Sequence, residues 1–246
     1  MKNNFIIFII LSILTKNVMA ENLSIKAVNI SIDKKTQSTI FKDDVIIEDE
    51  IGNIIKSDYA EYDKENNIIH LKENIIFNDV DNNILRTEQA TYNEILKIFK
   101  TYGKTTFKSP NGYSLEGSLI SLNNKNKTIF SDNSTVVKDL DGNTINLENF
   151  EYMSSKKIFK SIGKIEVNDK KNNTYFFSQL IIDTKNNEMI GTDVKAYLND
   201  EQFKFNEDNK PRIFANTAQF KKSGTNFQKS AFTFCNYRGG DKCPPW

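Results

Sequence analysis

The side chains that could do chemistry are few. The chain has one histidine, His70, and two cysteines, Cys235 and Cys243. Catalysis by a Ser–His–Asp or Cys–His set needs an imidazole base beside its nucleophile. The lone histidine stands between Ile69 and Leu71 in an alternating run, which turns it to the opposite, solvent side of a strand. No such set can be assembled. A zinc site fails for the same reason, because the cysteines are far in sequence from His70. Carboxylates gather in turn-like clusters, Asp43-Asp44 and Glu48-Asp49-Glu50, which read as solvated turns rather than paired acids. None recurs at the spacing of a calcium-binding roll, and no acidic pair repeats on a common face as in a polysaccharide-cleaving β-helix. Lys156-Lys157 and Lys221-Lys222 read as solvated turn lysines, with contact to lipid phosphates as the alternative. Four Asn-x-Ser/Thr sequons, beginning at Asn22, Asn29, Asn126 and Asn133, are expected by chance in so Asn-rich a chain. The chemistry left to Cys235 and Cys243 is a disulfide. Gly239-Gly240 gives slack to close a loop between them, and an intrachain bridge, pairing elsewhere and a free pair all stay open. Neither a catalytic residue nor a cofactor or metal ligand set is expected.

Residues 1–20 explain why a disulfide is plausible. One basic residue, Lys2, precedes an apolar run from Phe5 to Leu14, and Val18-Met19-Ala20 leads to Glu21. That order reads as a secretory signal peptide cut after Ala20, the run being shorter than the ~20 residues a permanent span needs. The mature chain is then expected outside the cytoplasm. Basic and acidic residues number 33 and 32, so no net field attracts nucleic acid.

The elements behind these side chains are short runs of β-branched and aromatic residues split by Asn, Asp, Gly and Lys clusters, a strand-and-turn signature. They repeat. Steps of 30 from Ile32 reach Tyr62, Tyr92, Leu122, Tyr152 and Ile182. Seven residues further on lie Ile69, Phe99, Ile129, Phe159 and Met189; seven before lie Ile55, Leu85, Leu115, Ile145 and Tyr175. Fifteen after lie Phe77, Phe107, Val137, Val167 and Tyr197. A seventh copy, Ile213, Phe220, Phe227 and Cys235, follows a longer step that places an insertion at about 199–210. Each unit holds two strands, so an all-β domain of about fourteen antiparallel strands is expected over 21–234. Polar turns such as 63–67 and 139–143 join them. In the second strand Ile69, Leu71, Ile75 and Phe77 share one parity, whereas in the first the apolar parity switches between Ser57 and Ala60. That switch predicts a β-bulge in each unit, and a bend repeated at one level would curl the sheet into a trough or roll.

The apolar columns allow two outcomes. They are the filled core of a β-solenoid that binds partners through its edges, or they line a groove for a long aliphatic ligand, in which case a continuous cavity runs along them. Each methylene removed from water would contribute roughly 0.8 kcal/mol.

The stretch from Gly52 to Asp63, Gly-Asn-Ile-Ile-Lys-Ser-Asp-Tyr-Ala-Glu-Tyr-Asp, resembles the OstA-type repeat: a turn Gly, an apolar residue, a small-acidic-x-Ala segment and a Tyr-Asp ending. LptA and LptC, the periplasmic proteins of the lipopolysaccharide bridge, share that repeat with the N-terminal domain of the translocon LptD. The likeness spans essentially the whole mature chain. It implies an elongated β-jellyroll (β-taco) without enzymatic activity, located in the periplasm and associated with the outer membrane. Lipid A acyl chains would lie in the trough against the four columns, Ile55 through Met189. Lipid would arrive from an LptA-type protein on the first repeat, Leu23 to Ile47, driven by an ABC transporter elsewhere. The run from Phe232 to Cys235, and Cys243-Pro244-Pro245-Trp246, are similar to the segment by which LptD leaves its periplasmic domain. Residues 235–246 would then be a junction toward a barrel and its LptE-type lipoprotein, with the cysteines paired to cysteines of that barrel. No barrel-like strands occur in the 246 residues, and a free-standing bridge protein of LptA type is the alternative.

Overall fold

The structure is a computed structural model describing residues 23–199 and 211–234. The stretch expected to be a signal peptide, most of the expected insertion and the segment holding Cys235 and Cys243 lie outside those residues. Eighteen strands form one antiparallel sheet: β1 (Ser24–Lys26), β2 (Asn29–Ile32), β3 (Thr39–Glu48), β4 (Ile54–Asp63), β5 (Ile68–Asn78), β6 (Ile84–Asn93), β7 (Ile98–Lys108), β8 (Ser114–Ser118), β9 (Ser121–Asn123), β10 (Thr128–Ser131), β11 (Thr135–Lys138), β12 (Thr144–Leu147), β13 (Phe150–Met153), β14 (Ile158–Asn168), β15 (Thr174–Asp183), β16 (Glu188–Tyr197), β17 (Arg212–Lys221) and β18 (Gly224–Thr233). Four consecutive pairs, β1/β2, β8/β9, β10/β11 and β12/β13, are two halves of one rail, since both halves pair with the same neighbour. Counted as rails, the sheet has the fourteen members the repeat predicts, each paired to the next in an up-and-down meander.

Alternate rails bend at one level: Asp43-Asp44, Glu73-Asn74, Gly103, Gly163 and Asp193 adopt positive φ there, at steps of 30 residues that skip the equivalent position, Asn133. Between Lys56 and Tyr59 the register of β4 on β5 slips, with three residues of β5 facing two of β4. The predicted parity switch is present, because Ser57 and Ala60 both point inward. The extra residue, however, belongs to the second strand of the unit, which keeps its parity by expelling Glu73 as it turns. The bends form a crease, and the two arms of the sheet fold toward each other across it.

Turns at the arm tips are set by side chains. Asp49, Asp79, Asp139 and Asp169 each accept from the backbone N–H and the amide of the Asn four residues on, at 2.7–2.9 Å. The residue before that Asn is in the left-handed region: Gly52, Asn82, Gly142 and Asn172. On the other arm Asp63 and Asp183 play this part with Asn66 and Asn186. The Asn66 side chain first, then its backbone N–H, holds the Asp63 carboxyl below the ordinary 3.8; for Asp183 the backbone of Asn186 leads. A lowered folded-state value contributes stability above the unfolded-state value and loses it as pH falls through the folded one. Asp63→Asn with Asp183→Asn is therefore expected to lower the melting midpoint at neutral pH and to flatten its fall below about pH 4, where the two curves converge. Thermal melts across that range check it.

Candidate functional site

Each arm carries one unbroken ladder of directly opposed inward side chains. On the first arm it runs Tyr62, Ile69, Tyr92, Phe99, Leu122, Ile129, Tyr152, Phe159, Ile182, Met189 and Phe220. On the second it runs Ile47, Ile55, Phe77, Leu85, Phe107, Leu115, Val137, Ile145, Val167, Tyr175 and Ala196. The expected lining residues from Ile55 through Met189 fall on these ladders. All are buried except Tyr62, Tyr152 and Met189, which are partly buried against the same core. One column needs correction at its last member, where Ala196 points inward and Tyr197 outward. β16 passes its bend at Asp193 with no register shift against β15, two residues facing two, so Val194 and Ala196 turn inward and the parity beyond the bend differs from that of β5, β7 and β14, which carry an extra residue there.

The ladders meet. Phe77 and Phe99, from opposite arms, stand 5.0 Å apart, and Tyr175 meets Phe220 edge-on at 5.2 Å. Among the described residues no continuous cavity follows the columns. The arms meet between the ladders, and an apolar hollow behind Tyr113 has a volume of about 40 Å³. The gaping groove is thus not what this conformation contains.

The crease is lined by residues the apolar pattern does not mark. Thr87, Thr101, Thr105, Ser131, Thr135 and Ser161 are buried there, and their hydroxyls replace missing ladder bonds. Thr101 Oγ1 donates to the Ile120 carbonyl at 3.2 Å and accepts from its N–H at 3.0 Å, while Ser131 donates to the Ser118 carbonyl at 3.0 Å. These bonds sit where β8/β9 and β10/β11 are interrupted. The signal was present in the 30-residue step through Leu71, Thr101, Ser131, Ser161 and Gly191, but small polar residues look like surface in a sequence.

Across the mouth opposite the crease the two rows of turns touch. Lys97 lies 3.6 Å from Glu50. Tyr113 Oη donates to Asn187 Oδ1 at 2.9 Å, and Asn187 Nδ2 donates to Asp141 at 3.2 Å. Within the first arm, Tyr62 donates to Glu94 at 2.8 Å. Tyrosine hydroxyls thus mark the line where apolar interior meets polar rim, the position their amphipathic side chain favours. Burial first, then nearby carboxylates, raises the phenols of Tyr92, Tyr113 and Tyr175 above their ordinary range, so they remain neutral donors.

His70 is exposed, cross-strand from Glu61 on the outer face, as its alternation predicts. Lys156, Lys221 and Lys222 are solvated, and Lys221 lies 3.6 Å from Glu188. No group of three or more metal-ligating side chains occurs among the described residues.

Residues 20–130, a little under half of the chain, match the model of a family described as lipopolysaccharide-assembly, LptC-related. No curated protein matches the chain. Among solved structures, the chain is similar to LptH, described as the LptA homologous periplasmic component of the conserved lipopolysaccharide transport device from Pseudomonas aeruginosa. The identity is 9%, the match covers 70% of this chain and 82% of that one, and the TM-score is 0.20.

Proposed function

We propose that this chain is a non-enzymatic lipopolysaccharide transport module of the OstA-like kind, which holds lipid acyl chains between its two ladders and passes them along the lane in the periplasm. The observation that carries the reading is the pair of unbroken inward ladders, which begin in the segment 20–130 that matches an LptC-related family and continue beyond it. The filled interior is compatible with this. An acyl chain that slides between the arms replaces each ladder's partner, so the protein's apolar surface stays covered and the chain's own surface leaves water as well. For a chain of about a dozen carbons that second gain is on the order of 10 kcal/mol. It opposes whatever the opening of the mouth costs.

Two finer assignments differ in support. The family match favours a bridge component of the LptA/LptC kind. The Cys235 and Cys243-Pro-Pro-Trp segment favours the periplasmic domain of an LptD-type translocon, with its barrel, an LptE-type lipoprotein and a cysteine pairing as corollaries. In either case the first rail, β1/β2, pairs among the described residues with β3 on one side alone and would receive an LptA-type strand on the other. A different class of function, a structural β-solenoid working through its edges alone, is favoured by the closed interior.

A photo-crosslinking residue placed at Phe99, Ile129 or Phe159 decides between them. Adducts with lipopolysaccharide in cells are expected at these inward positions, and none at the outward Phe130. If none forms at any inward site, the transport reading fails and the structural one stands.

A further inference from the structure

The mouth is not uniform along its length. Where Lys97 reaches Glu50, the residues behind the rim are Tyr92, Phe77 and Phe99, each almost wholly buried and in contact across the arms. Nothing could be seated there without first displacing rings. Behind Tyr113 the interior differs. A cavity of about 40 Å³ lies there, bounded inside by Phe107, Leu115, Ile129 and Val137 and at the rim by Tyr113 and Thr184. That is several times the ~10–15 Å³ a single water requires, yet apolar walls leave a water few partners, and such a space favours an apolar guest.

The closure over this cavity is slight. Tyr113 Oη donates to Asn187 Oδ1, and Asn187 in turn donates to Asp141. Asn187 and Asp141 are turn residues in solvent, so both can exchange these bonds for water as the rim parts. Tyr113 is buried, and its ring forms the inner side of the closure.

Resting on the lipid-lane reading above, we infer that the mouth parts first at Tyr113–Asn187, and that this is the portal through which a long acyl chain passes tail-first into the cavity behind it. The headgroup stays outside, because the rim there carries Asp139, Asp141 and Asp183. An anionic headgroup is held off by those carboxylates while the hydrocarbon passes, which sets the orientation of the guest.

The test uses the full chain with Cys235→Ser and Cys243→Ser, and a fluorescent polyene fatty acid as probe, its uptake followed by stopped flow. Tyr113→Phe removes the donor and keeps the ring. It is expected to speed uptake by about 2- to 10-fold, the weight of one hydrogen bond in a closed–open equilibrium. Lys97→Met, which breaks the other contact across the mouth, is expected to leave the rate unchanged. A second pair guards against a folding artefact. Tyr113→Cys with Asn187→Cys, joined by a short bismaleimide, should abolish uptake, whereas Glu50→Cys with Lys97→Cys joined the same way should not. Unchanged uptake in Tyr113→Phe, or equal blockage by both bridges, overturns the portal. Lipopolysaccharide adducts at Phe99 separate the two levels: adducts that persist undiminished behind a bridged Tyr113–Asn187 sink the portal and leave the lane standing. A wild-type chain that forms none sinks both.

Discussion

Truncating Phe99 to Ala is expected to cost about 3–5 kcal/mol and to lower the melting midpoint by roughly 10 °C or more. The side chain is fully buried, packed on Phe77 from the opposite arm and flanked along its ladder by Tyr92 and Leu122. A ring removed from the meeting plane of two arms leaves a hole that neither can close, because each is held straight by its hydrogen bonds. Phe130 makes the control. It belongs to the next unit and sits beside Ile129, but it faces outward and is partly exposed, so Phe130→Ala should change stability by no more than about 0.5 kcal/mol. Equal losses at the two sites, in denaturant melts with unchanged slopes, would refute the assignment of faces.

The second large effect concerns the crease. A methyl group added at Gly191 would fall inside the ring of Phe177. Gly191→Ala is therefore expected to cost about 3 kcal/mol, the upper end of what overpacking imposes. The sequence shows how this arose. The position equivalent to Gly191 is Leu71 in the second unit, where the position equivalent to Phe177 is Ser57. Bulk has changed sides while the volume of the crease has been kept. Phe177→Ala combined with Gly191→Ala should thus cost less than the two single changes added, by about 2–3 kcal/mol. Strict additivity in a double-mutant cycle would show that the two sites do not share one space.

Much of this architecture is readable from residue order. The 30-residue step reports the rail count, the faces and the ladders, because alternation in a strand with a buried face leaves little freedom in register. What escaped has physical causes. The crease is built from Thr87, Thr101 and Ser131, whose burial depends on hydroxyl partners across broken rails rather than on hydrophobicity. Tyr197 fell out of its column because β16 crosses its bend without the extra residue that β5, β7 and β14 carry, which reverses the parity beyond it. Whether two apolar ladders meet or gape is decided by how tightly the crease closes, and an alternating pattern serves both. The contacts across the mouth join residues 46 and 74 positions apart, beyond any local pattern.

Those contacts are displaced along the sheet. The turn after β3 reaches the turn between β6 and β7, and the turn between β11 and β12 reaches the one between β15 and β16. In these two cases the partners are three rails apart, or about 14 Å at the usual strand spacing, and Tyr113 and Asn187 are five rails apart in the same direction. The seam is accordingly a thread wound around the long axis, as a right-twisted sheet requires. A ligand advancing along the lane with its headgroup outside would have to turn as it moves, like a nut on a bolt, and would present a different side of itself at each end.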